Sequence, residues 1–398
     1  MIPQCSIAAI SLLLYKFFAL CYFPIAMEKK YTVNDLSEPL QAALKVLNIT
    51  ELSDVQTAVI PSFLEDHDLL VKAATASGKT YAYGIPVAER AEPQGKGKHY
   101  PSVLILVPTR ELALQTARAI RLLFVKKEGV RTAVLCGGED MNRKVSMFSK
   151  GADIVVATPA RLLDHLRRHT FRTKMCHTLI IDEADVMVSM GFCEDVINVA
   201  SALEKHQTAL FSATYPPKVE ALCMNLLHEP QVIEIQNESV HPQDIGYYYR
   251  SVHPDHKLDT LASMLKKMSG SAIVFCNRRK TAEFVTKGLK ERGLKASFTH
   301  SELEPQERKK IMERFRNQEI RILCATDVLA RGIDLPFLDC VILYDYPEDS
   351  ETLLHRCGRT SRNMKLGKAV LLLEKKELFR IQEAQKLLGN QLKKWPTG

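Results

Sequence analysis

Short, mainly apolar runs alternate with longer amphipathic stretches along most of this 398-residue chain, and no other sequence feature restricts the fold as strongly. The apolar runs have the length of strands, and stretches such as 110–125 and 159–168 have the spacing of helices. A strand that is apolar throughout is buried on both faces, as in a parallel sheet. The alternation therefore predicts an α/β fold with helices on both faces of parallel sheets. The predicted strands are 69–71, 103–107, 132–135, 154–157, 179–181, 209–211, 272–275, 296–298, 320–323, 341–343 and 369–372.

The alternation loosens over 228–245, a polar stretch that contains Pro230 and Pro242. A chain of this length can form two domains with separate cores. We therefore predict two tandem, doubly wound parallel-sheet domains. The first domain covers 27–227, the second covers 246–398, and a linker over 228–245 joins them.

The first 26 residues differ from the rest of the chain. The segment 7–26 is apolar apart from Ser11 and Lys16, which suits a membrane span or a signal-like segment. It has no basic start and no evident cleavage site. A second interpretation stays open, in which Met27 is the natural start and 1–26 is a translated upstream region.

Charge and cysteine content restrict the partners and the compartment. The 54 Lys and Arg residues exceed the 46 Asp and Glu residues, and the net charge of +8 is compatible with a polyanionic partner. The ten cysteines are scattered, without a Cys-x-x-Cys pair. We expect a reducing compartment, with neither a zinc site nor a disulfide framework.

The run Ala-Thr-Ala-Ser-Gly-Lys-Thr over 74–80 follows a predicted strand and has the composition of a phosphate-binding loop. Backbone N–H groups of such a loop, ahead of a helix N-terminus, bind phosphate. Lys79 adds a positive charge, and the hydroxyl of Thr80 is suited to Mg²⁺. The residues expected to bind the nucleotide here are Thr75, Ala76, Ser77, Gly78, Lys79 and Thr80.

An acidic run, Asp-Glu-Ala-Asp over 182–185, ends another predicted strand. Asp182 is suited to hold Mg²⁺, and Glu183 is suited to polarise a water molecule. A Gly-Lys-Thr run alone is weak evidence of function. Together, the two runs predict that the chain binds and hydrolyses a nucleoside triphosphate.

Three arginines recur at three-residue spacing in the second half: Arg356, Arg359 and Arg362. Gly358, between the first two, argues against a plain solvated helix face. We expect the three guanidinium groups to form a fork that stabilises charge on the transferred phosphoryl group.

These motifs, with the run Ala-Thr-Asp-Val-Leu-Ala-Arg-Gly-Ile-Asp over 325–334, resemble those of DEAD-box ATP-dependent RNA helicases, from about residue 31 to about residue 387. The resemblance implies two RecA-like lobes, ATP and Mg²⁺ as cofactors, and local RNA duplex unwinding or ribonucleoprotein remodelling. An ATP-gated RNA clamp with little unwinding, or a DNA helicase, stays open. The catalytic residues implied are Lys79, Asp182, Glu183, Arg359 and Arg362.

The resemblance also implies further contacts with the nucleotide. Gln56 would recognise adenine, because a side-chain amide both donates and accepts hydrogen bonds, and Asp334 would contact the ribose. Where the family has an aromatic residue and a proline before the glutamine, this chain has Ile49 and Leu52, which predicts weaker ATP affinity or base selectivity. Residues implied to couple the ATP state to unwinding are Asp185, Ser212, Thr214 and His355.

RNA contacts are implied for residues that follow predicted strands, where such groups hold phosphates without reading the base sequence. Two positions depart from the family pattern: Ala160 replaces a glycine, and Pro305 stands where a glutamine is expected. The second departure puts a contact to RNA or between the lobes in doubt. The implied RNA contacts are Pro108, Thr109, Arg110, Gly138, Thr158 and Arg161 in the first lobe and Asn277, Arg278, Thr326 and Arg331 in the second.

The expected partners are RNA and protein adaptors rather than a membrane, and we expect a monomer. The expected location is intracellular, in the cytoplasm, the nucleus or nucleolus, or an organelle.

Overall fold

The chain divides into two compact units, Met1–Asn237 and Glu238–Gly398. Within the part that is described, no helix combines the length and the apolar character needed to cross a membrane. The apolar segment 1–26 lies outside that part. The computed structural model describes residues 31–73, 77–92, 100–137, 151–235, 245–300, 303, 305–326, 338–347, 350–358, 360, 367–388 and 392–396.

The first unit is built on a seven-stranded parallel sheet. Its strands are β1 (Leu69–Lys72), β2 (Val103–Leu106), β3 (Thr132–Leu135), β4 (Ile154–Ala157), β5 (Thr178–Ile181), β6 (Gln207–Ser212) and β7 (Gln231–Glu234), in the spatial order β3-β4-β2-β5-β6-β1-β7. Its helices are α1 (Glu38–Val46), α2 (Asp54–Leu64), α3 (Lys79–Arg90), α4 (Arg110–Leu123), α5 (Pro159–Arg167), α6 (Ala184–Ser189), α7 (Cys193–Ser201) and α8 (Pro217–Leu226).

Helices cover both faces of this sheet, and the alternation of side chains along each strand divides the core in two. Leu69 and Val71 of β1 pack in a cluster with residues of α1 to α4. Leu70, between them, packs in a second cluster with residues of α5 to α8. The prediction of a doubly wound parallel sheet is confirmed.

The second unit repeats this architecture. Its strands are β8 (Ile245–Val252), β9 (Ala272–Phe275), β10 (Ala296–Thr299), β11 (Ile322–Ala325), β12 (Cys340–Leu343), β13 (Gly367–Glu374) and β14 (Lys393–Lys394), in the parallel order β10-β11-β9-β12-β13-β8-β14. Its helices are α9 (Lys257–Lys267), α10 (Arg279–Glu291), α11 (Pro305–Arg316), α12 (Ser350–Cys357) and α13 (Arg380–Leu387). One face packs against α9 and α10, and the other packs against α11, α12 and α13.

The predicted linker over 228–245 is wrong at both of its ends. Residues Gln231–Glu234 form β7, which pairs with β1 at the edge of the first sheet, and Ile245 begins β8. A short edge strand with polar residues at its ends resembles a loop in sequence, because only Val232 and Ile233 face the two cores. Residues 236–244 lie outside the described part.

Candidate active site

The carboxyl ends of β1, β6 and β5 lie side by side at one edge of the first sheet. Lys72 at the end of β1 pairs with Ser212, and Ile181 at the end of β5 pairs with Leu210. The phosphate loop, the acidic run and the run Ser-Ala-Thr over 212–214 therefore leave the sheet next to one another. Ligands of open α/β sheets bind at this edge.

The described part of the phosphate loop has a backbone conformation that suits glycine. Gly78 has φ 96° and ψ 19°, in the left-handed region, and it precedes the first residue of α3. A Cβ atom there would lie 2.7 Å from Nε2 of Gln56 and 3.2 Å from Oγ of Ser53, so both strain and space disfavour a side chain. Ser77 precedes it, whereas Thr75 and Ala76 lie outside the described residues.

Lys79 and Asp182 place opposite charges in the buried space behind this loop, with 8% and 3% of their surfaces exposed. Nζ of Lys79 donates to the carbonyl of Ala73 at 2.8 Å. Burial raises the pKa of Asp182 above its ordinary value, and the attraction of Lys79 offsets this only in part. A further cation beside this carboxylate would favour its ionised form. Thr80 lies in the first turn of α3 and is partly exposed.

Tyr83 is a residue of this site that the sequence analysis missed. Its hydroxyl donates to the Asp182 carboxylate at 2.8 Å, and its ring packs edge-on against Phe211 with the centroids 5.1 Å apart. Burial, and then the negative charge of Asp182, raise the pKa of Tyr83 well above its ordinary value, so the hydroxyl stays a donor. Its position four residues after Lys79, on the same face of a helix, was the available signal.

Glu183 has a strained backbone. Its backbone angles are φ 54° and ψ 52°, a left-handed conformation that residues other than glycine rarely adopt. Glu183 directly precedes α6. Its N–H donates to the Asp182 carboxylate at 2.9 Å, which supports this conformation. Strain of this kind clusters at functional sites.

The residues predicted to couple the ATP state to unwinding are in contact in the first unit. Ser212 accepts a hydrogen bond from the N–H of Asp185 at 3.2 Å and donates to the carbonyl of Thr214 at 2.7 Å. Thr214 in turn donates its N–H and its hydroxyl to the Asp185 carboxylate, at 3.2 and 3.1 Å. The loops after β5 and β6 are thereby joined, and the coupling role stays a prediction.

Gln56 is buried, and both ends of its amide bind within the protein. Oε1 accepts the N–H of Ser53 at 3.0 Å, and Nε2 donates to the carbonyl of Gly78 at 3.3 Å. Recognition of adenine by Gln56 stays a prediction, and the structure adds that this residue joins α2 to the phosphate loop. Ile49 and Leu52, which depart from the family pattern, pack partly buried against the core.

The residues predicted to bind RNA in the first unit lie on the other half of the same sheet edge, after β2 and β4. Thr109 and Thr158 precede α4 and α5, and only Thr109 makes a side-chain capping bond, from the N–H of Leu112 at 3.2 Å. Arg110 donates to the carbonyl of Gly137. Nη1 of Arg161 donates to the carboxylate of Asp164 at 3.4 Å. Pro108 is buried, and Gly138 lies outside the described residues.

In the second unit, two predicted RNA contacts also lie near carboxyl ends of neighbouring strands. Asn277 follows β9, and Thr326 directly follows β11, with Ala325 paired with Phe275. Arg278 is exposed and precedes α10. The departure at Pro305 has a structural reason, because this residue begins α11 and proline is favoured there. Arg331 and Asp334 lie outside the described residues.

The prediction that Arg356 belongs to a phosphoryl-binding fork is wrong. Only 1% of its surface is exposed, and its guanidinium lies over the Phe275 ring, 5.4 Å from the centroid. It donates to the carbonyl of Asp345 at 2.9 Å and to Oδ1 of Asn277 at 2.8 Å. This arginine therefore ties α12 to the loops after β9 and β12.

Asn277 also uses the other end of its amide inside the protein, by donating to the carbonyl of Tyr346 at 2.8 Å. Its contact with RNA stays a prediction. Arg359 and Arg362, the other two arginines of the predicted fork, lie outside the described residues. His355 lies in α12, and its side chain is outside the described part.

Comparison with known proteins matches both units to helicases. The family model of the DEAD/DEAH box helicases matches residues 53–222, and that of the helicase conserved C-terminal domain matches residues 256–364, so that together they match more than half of the chain. The ATP-dependent RNA helicase DeaD of Haemophilus influenzae is 35% identical over 366 residues. This match covers 91% of the chain but only 59% of the length of that relative.

Solved structures resemble the chain along most of its length. Dbp5 of S. cerevisiae bound to RNA and ADP BeF3 has a TM-score of 0.82 and 28% identity, over 91% of this chain and 94% of that one. Mss116p bound to ssRNA and AMP-PNP has a TM-score of 0.81 and 26% identity, over 94% of this chain and 81% of that one. The prediction of two RecA-like domains in tandem is confirmed, and the chain belongs to the DEAD/DEAH box helicase family.

Proposed function

We propose that this protein is an ATP-dependent RNA helicase, in which ATP binding and RNA-stimulated hydrolysis drive local duplex unwinding or ribonucleoprotein remodelling. One observation carries the proposal: the buried pair of Lys79 and Asp182 lies beside Gly78 at the ligand-binding edge of a sheet that matches a helicase family model. Relatives of similar structure are bound to RNA together with ADP BeF3 or AMP-PNP, which supports the same classes of ligand here.

The residues of this site fit ATP and Mg²⁺. Oγ of Ser77 is buried without a hydrogen-bond partner among the described residues, as expected of a group whose partner is a ligand. The buried carboxylate of Asp182 favours a neighbouring cation. Asp182 and Thr80 would hold Mg²⁺, which, when bound, would neutralise charge on the phosphates.

The described side chains then have distinct roles. Lys79 would bind the phosphates through the ammonium that now contacts the Ala73 carbonyl. Glu183 would orient the attacking water, and its strained backbone would fix the direction of its side chain. Tyr83 would hold the Asp182 carboxylate in place. Hydrogen bonds among Asp185, Ser212 and Thr214 would pass a change at the acidic run to the neighbouring strand.

The RNA side of the proposal is based on residues that follow β2 and β4. Thr109, Arg110, Thr158 and Arg161 lie in the first turns of helices, or directly before them, at the same edge as the phosphate loop. Contacts from such positions would hold the RNA backbone without selecting a base sequence. We also propose that the protein acts as a monomer and inside cells, where ATP and RNA occur together.

The test is Glu183→Gln, which removes the carboxylate and keeps the size of the side chain. ATP turnover stimulated by single-stranded RNA should fall by about 100-fold or more, whereas binding of ATP and RNA should persist. Glu194→Gln, at an exposed position in α7, is the matched control and should keep wild-type turnover.

Three results would contradict the proposal. The first is near wild-type turnover in Glu183→Gln, which would exclude its catalytic role. The second is equal stimulation of the wild-type protein by DNA and RNA. The third is ATP-dependent RNA binding without separation of a short duplex, which would identify a clamp.

A further inference from the structure

We propose that the second unit carries a separate pocket for a nucleoside phosphate. A cavity of about 560 Å³ lies between the end of α9, the amino ends of β12 and β13, and the residues after β14. This volume is typical of ligand pockets. Met268, Asp339 and Lys368 lie at or before the amino ends of parallel strands, whereas the predicted motifs follow carboxyl ends. Arg250 joins this pocket from the carboxyl half of β8. Its lining residues include Arg250, Lys267, Asp339, Lys368 and Trp395.

The charge of the pocket suits an anion. Arg250, Lys267 and Lys368 supply three positive charges, and Asp339 is the only acidic residue among the described lining residues. The Asp339 carboxylate already accepts the N–H of Ser271 at 2.7 Å and its hydroxyl at 3.2 Å. Arg250 is half-buried, and within the described residues no carboxylate pairs with its guanidinium. A phosphate would provide that partner.

The end of α9 does not repel an anion as a helix C-terminus normally does. The carbonyl groups at such an end carry partial negative charge. Here the guanidinium of Arg321 donates hydrogen bonds to the carbonyls of Leu265 and Met268. The positive charge of Arg321 therefore offsets the partial negative charge of these carbonyl groups next to the pocket.

Trp395 adds a surface on which a flat ring can stack. Its indole is partly exposed and is held on one side by Tyr248, edge-on with the centroids 5.0 Å apart. Nζ of Lys368 lies over the indole ring, 6.0 Å from its centre, so a base that stacks on this face would displace the ammonium from the ring. Nucleobases stack on aromatic side chains, and lysines bind phosphates. The same pocket can thus hold a base on Trp395 and its phosphate at Lys368 and Arg250, whereas an acidic peptide would use only the cations.

The chain contains a single tryptophan, so fluorescence excited selectively in tryptophan reports on this pocket alone. The experiment titrates the full-length Lys79→Ala variant, in which the proposed phosphate-loop site is impaired, with AMP and with a short single-stranded RNA. Stacking predicts that both quench the fluorescence, and that inorganic phosphate competes without quenching. Tighter binding of AMP would identify a free nucleotide as the source of the ligand, and tighter binding of the oligonucleotide would identify RNA.

The matched variants are two neighbouring lysines on α9. Lys267→Glu should weaken AMP binding by about tenfold, because it reverses a charge at the pocket. Lys266→Glu makes the same change at an exposed residue outside the lining and should change the affinity by less than about twofold. If the Lys267→Glu variant does not fold, Lys368→Gln is measured in its place. This substitution removes a positive charge of the pocket without reversing it.

Three outcomes would overturn the proposal. One is that neither AMP nor RNA quenches the fluorescence of Trp395 in the Lys79→Ala variant. Another is equal weakening by the two lysine substitutions, which would show unspecific attraction. The last is that a polyglutamate peptide occupies the pocket at a lower concentration than AMP or the RNA does. That result would identify a peptide-binding surface.

Discussion

Replacing Tyr83 by phenylalanine tests whether its hydrogen bond supports the Asp182 carboxylate. The change removes only the hydroxyl, which donates to this buried carboxylate at 2.8 Å, and the ring keeps its contact with Phe211. A hydrogen bond to a charged group contributes about 1.5–3 kcal/mol. We therefore expect the free energy of unfolding of the first unit to fall by about 2 kcal/mol, which lowers its unfolding temperature by about 4–8 °C.

Differential scanning calorimetry of the full chain measures this change. Tyr81→Phe is the matched control, because Tyr81 lies on the same helix and the structure shows no hydrogen bond of its hydroxyl within the described residues. It should change the free energy of unfolding by less than about 0.5 kcal/mol. The unfolding midpoint from Trp395 fluorescence follows the second unit and should not change in either variant.

The loss of unfolding free energy in Tyr83→Phe should also depend on pH. Burial raises the pKa of Asp182 above its ordinary value of 3.8, so the folded state binds this proton more tightly than the unfolded state. The contribution of Asp182 to stability therefore falls as the pH rises through its folded pKa. Because the Tyr83 hydroxyl lowers that pKa, the loss should be largest at about pH 8 and shrink toward about pH 4. Equal stability of the two phenylalanine variants at about pH 8 would refute this reasoning.

Two further substitutions test structural roles. Arg356→Met should lower the free energy of unfolding of the second unit by about 3 kcal/mol, because Asn277 and a carbonyl lose a buried donor. Urea unfolding followed by the fluorescence of the single tryptophan measures this, and a loss no larger than that of the exposed Arg278→Met would contradict it. Thr109→Val should cost the first unit about 1 kcal/mol, because it removes the capping bond of α4. Thr158→Val, before a helix without such a bond, should cost less than about 0.5 kcal/mol by calorimetry, and equal losses would exclude the capping role.

Local patterns in the sequence predicted the class of fold and the place of the motifs. Buried strands are apolar along their length, and this property is local, so β1, β2 and β5 were predicted to within about two residues. Residues that directly follow such strands meet at one edge of a parallel sheet. The neighbourhood of the phosphate loop and the acidic run thus followed from the strand pattern, although they are separated by about 100 residues.

Strands at a sheet edge, or next to one, were harder to predict. The strand β7 has only two apolar residues that face the cores, and β8 carries tyrosines and an arginine instead of an unbroken apolar run. Neither shows the pattern of a fully buried strand. Their pairing partners, not their own composition, decide that they are strands.

The surroundings of individual side chains were decided only by the tertiary structure. Arg356 has the same spacing as the other arginines of its motif, yet Asn277, 79 residues earlier, accepts its hydrogen bond inside the protein. Tyr83 becomes a site residue because the fold brings its hydroxyl to Asp182, a residue that lies 99 positions later in the chain. The local sequence around a charged or polar side chain is the same whether water or a distant residue provides its hydrogen-bond partner. The sequence therefore determined the class of fold and the strands that the candidate residues follow, and long-range packing determined which of these residues are held inside the protein.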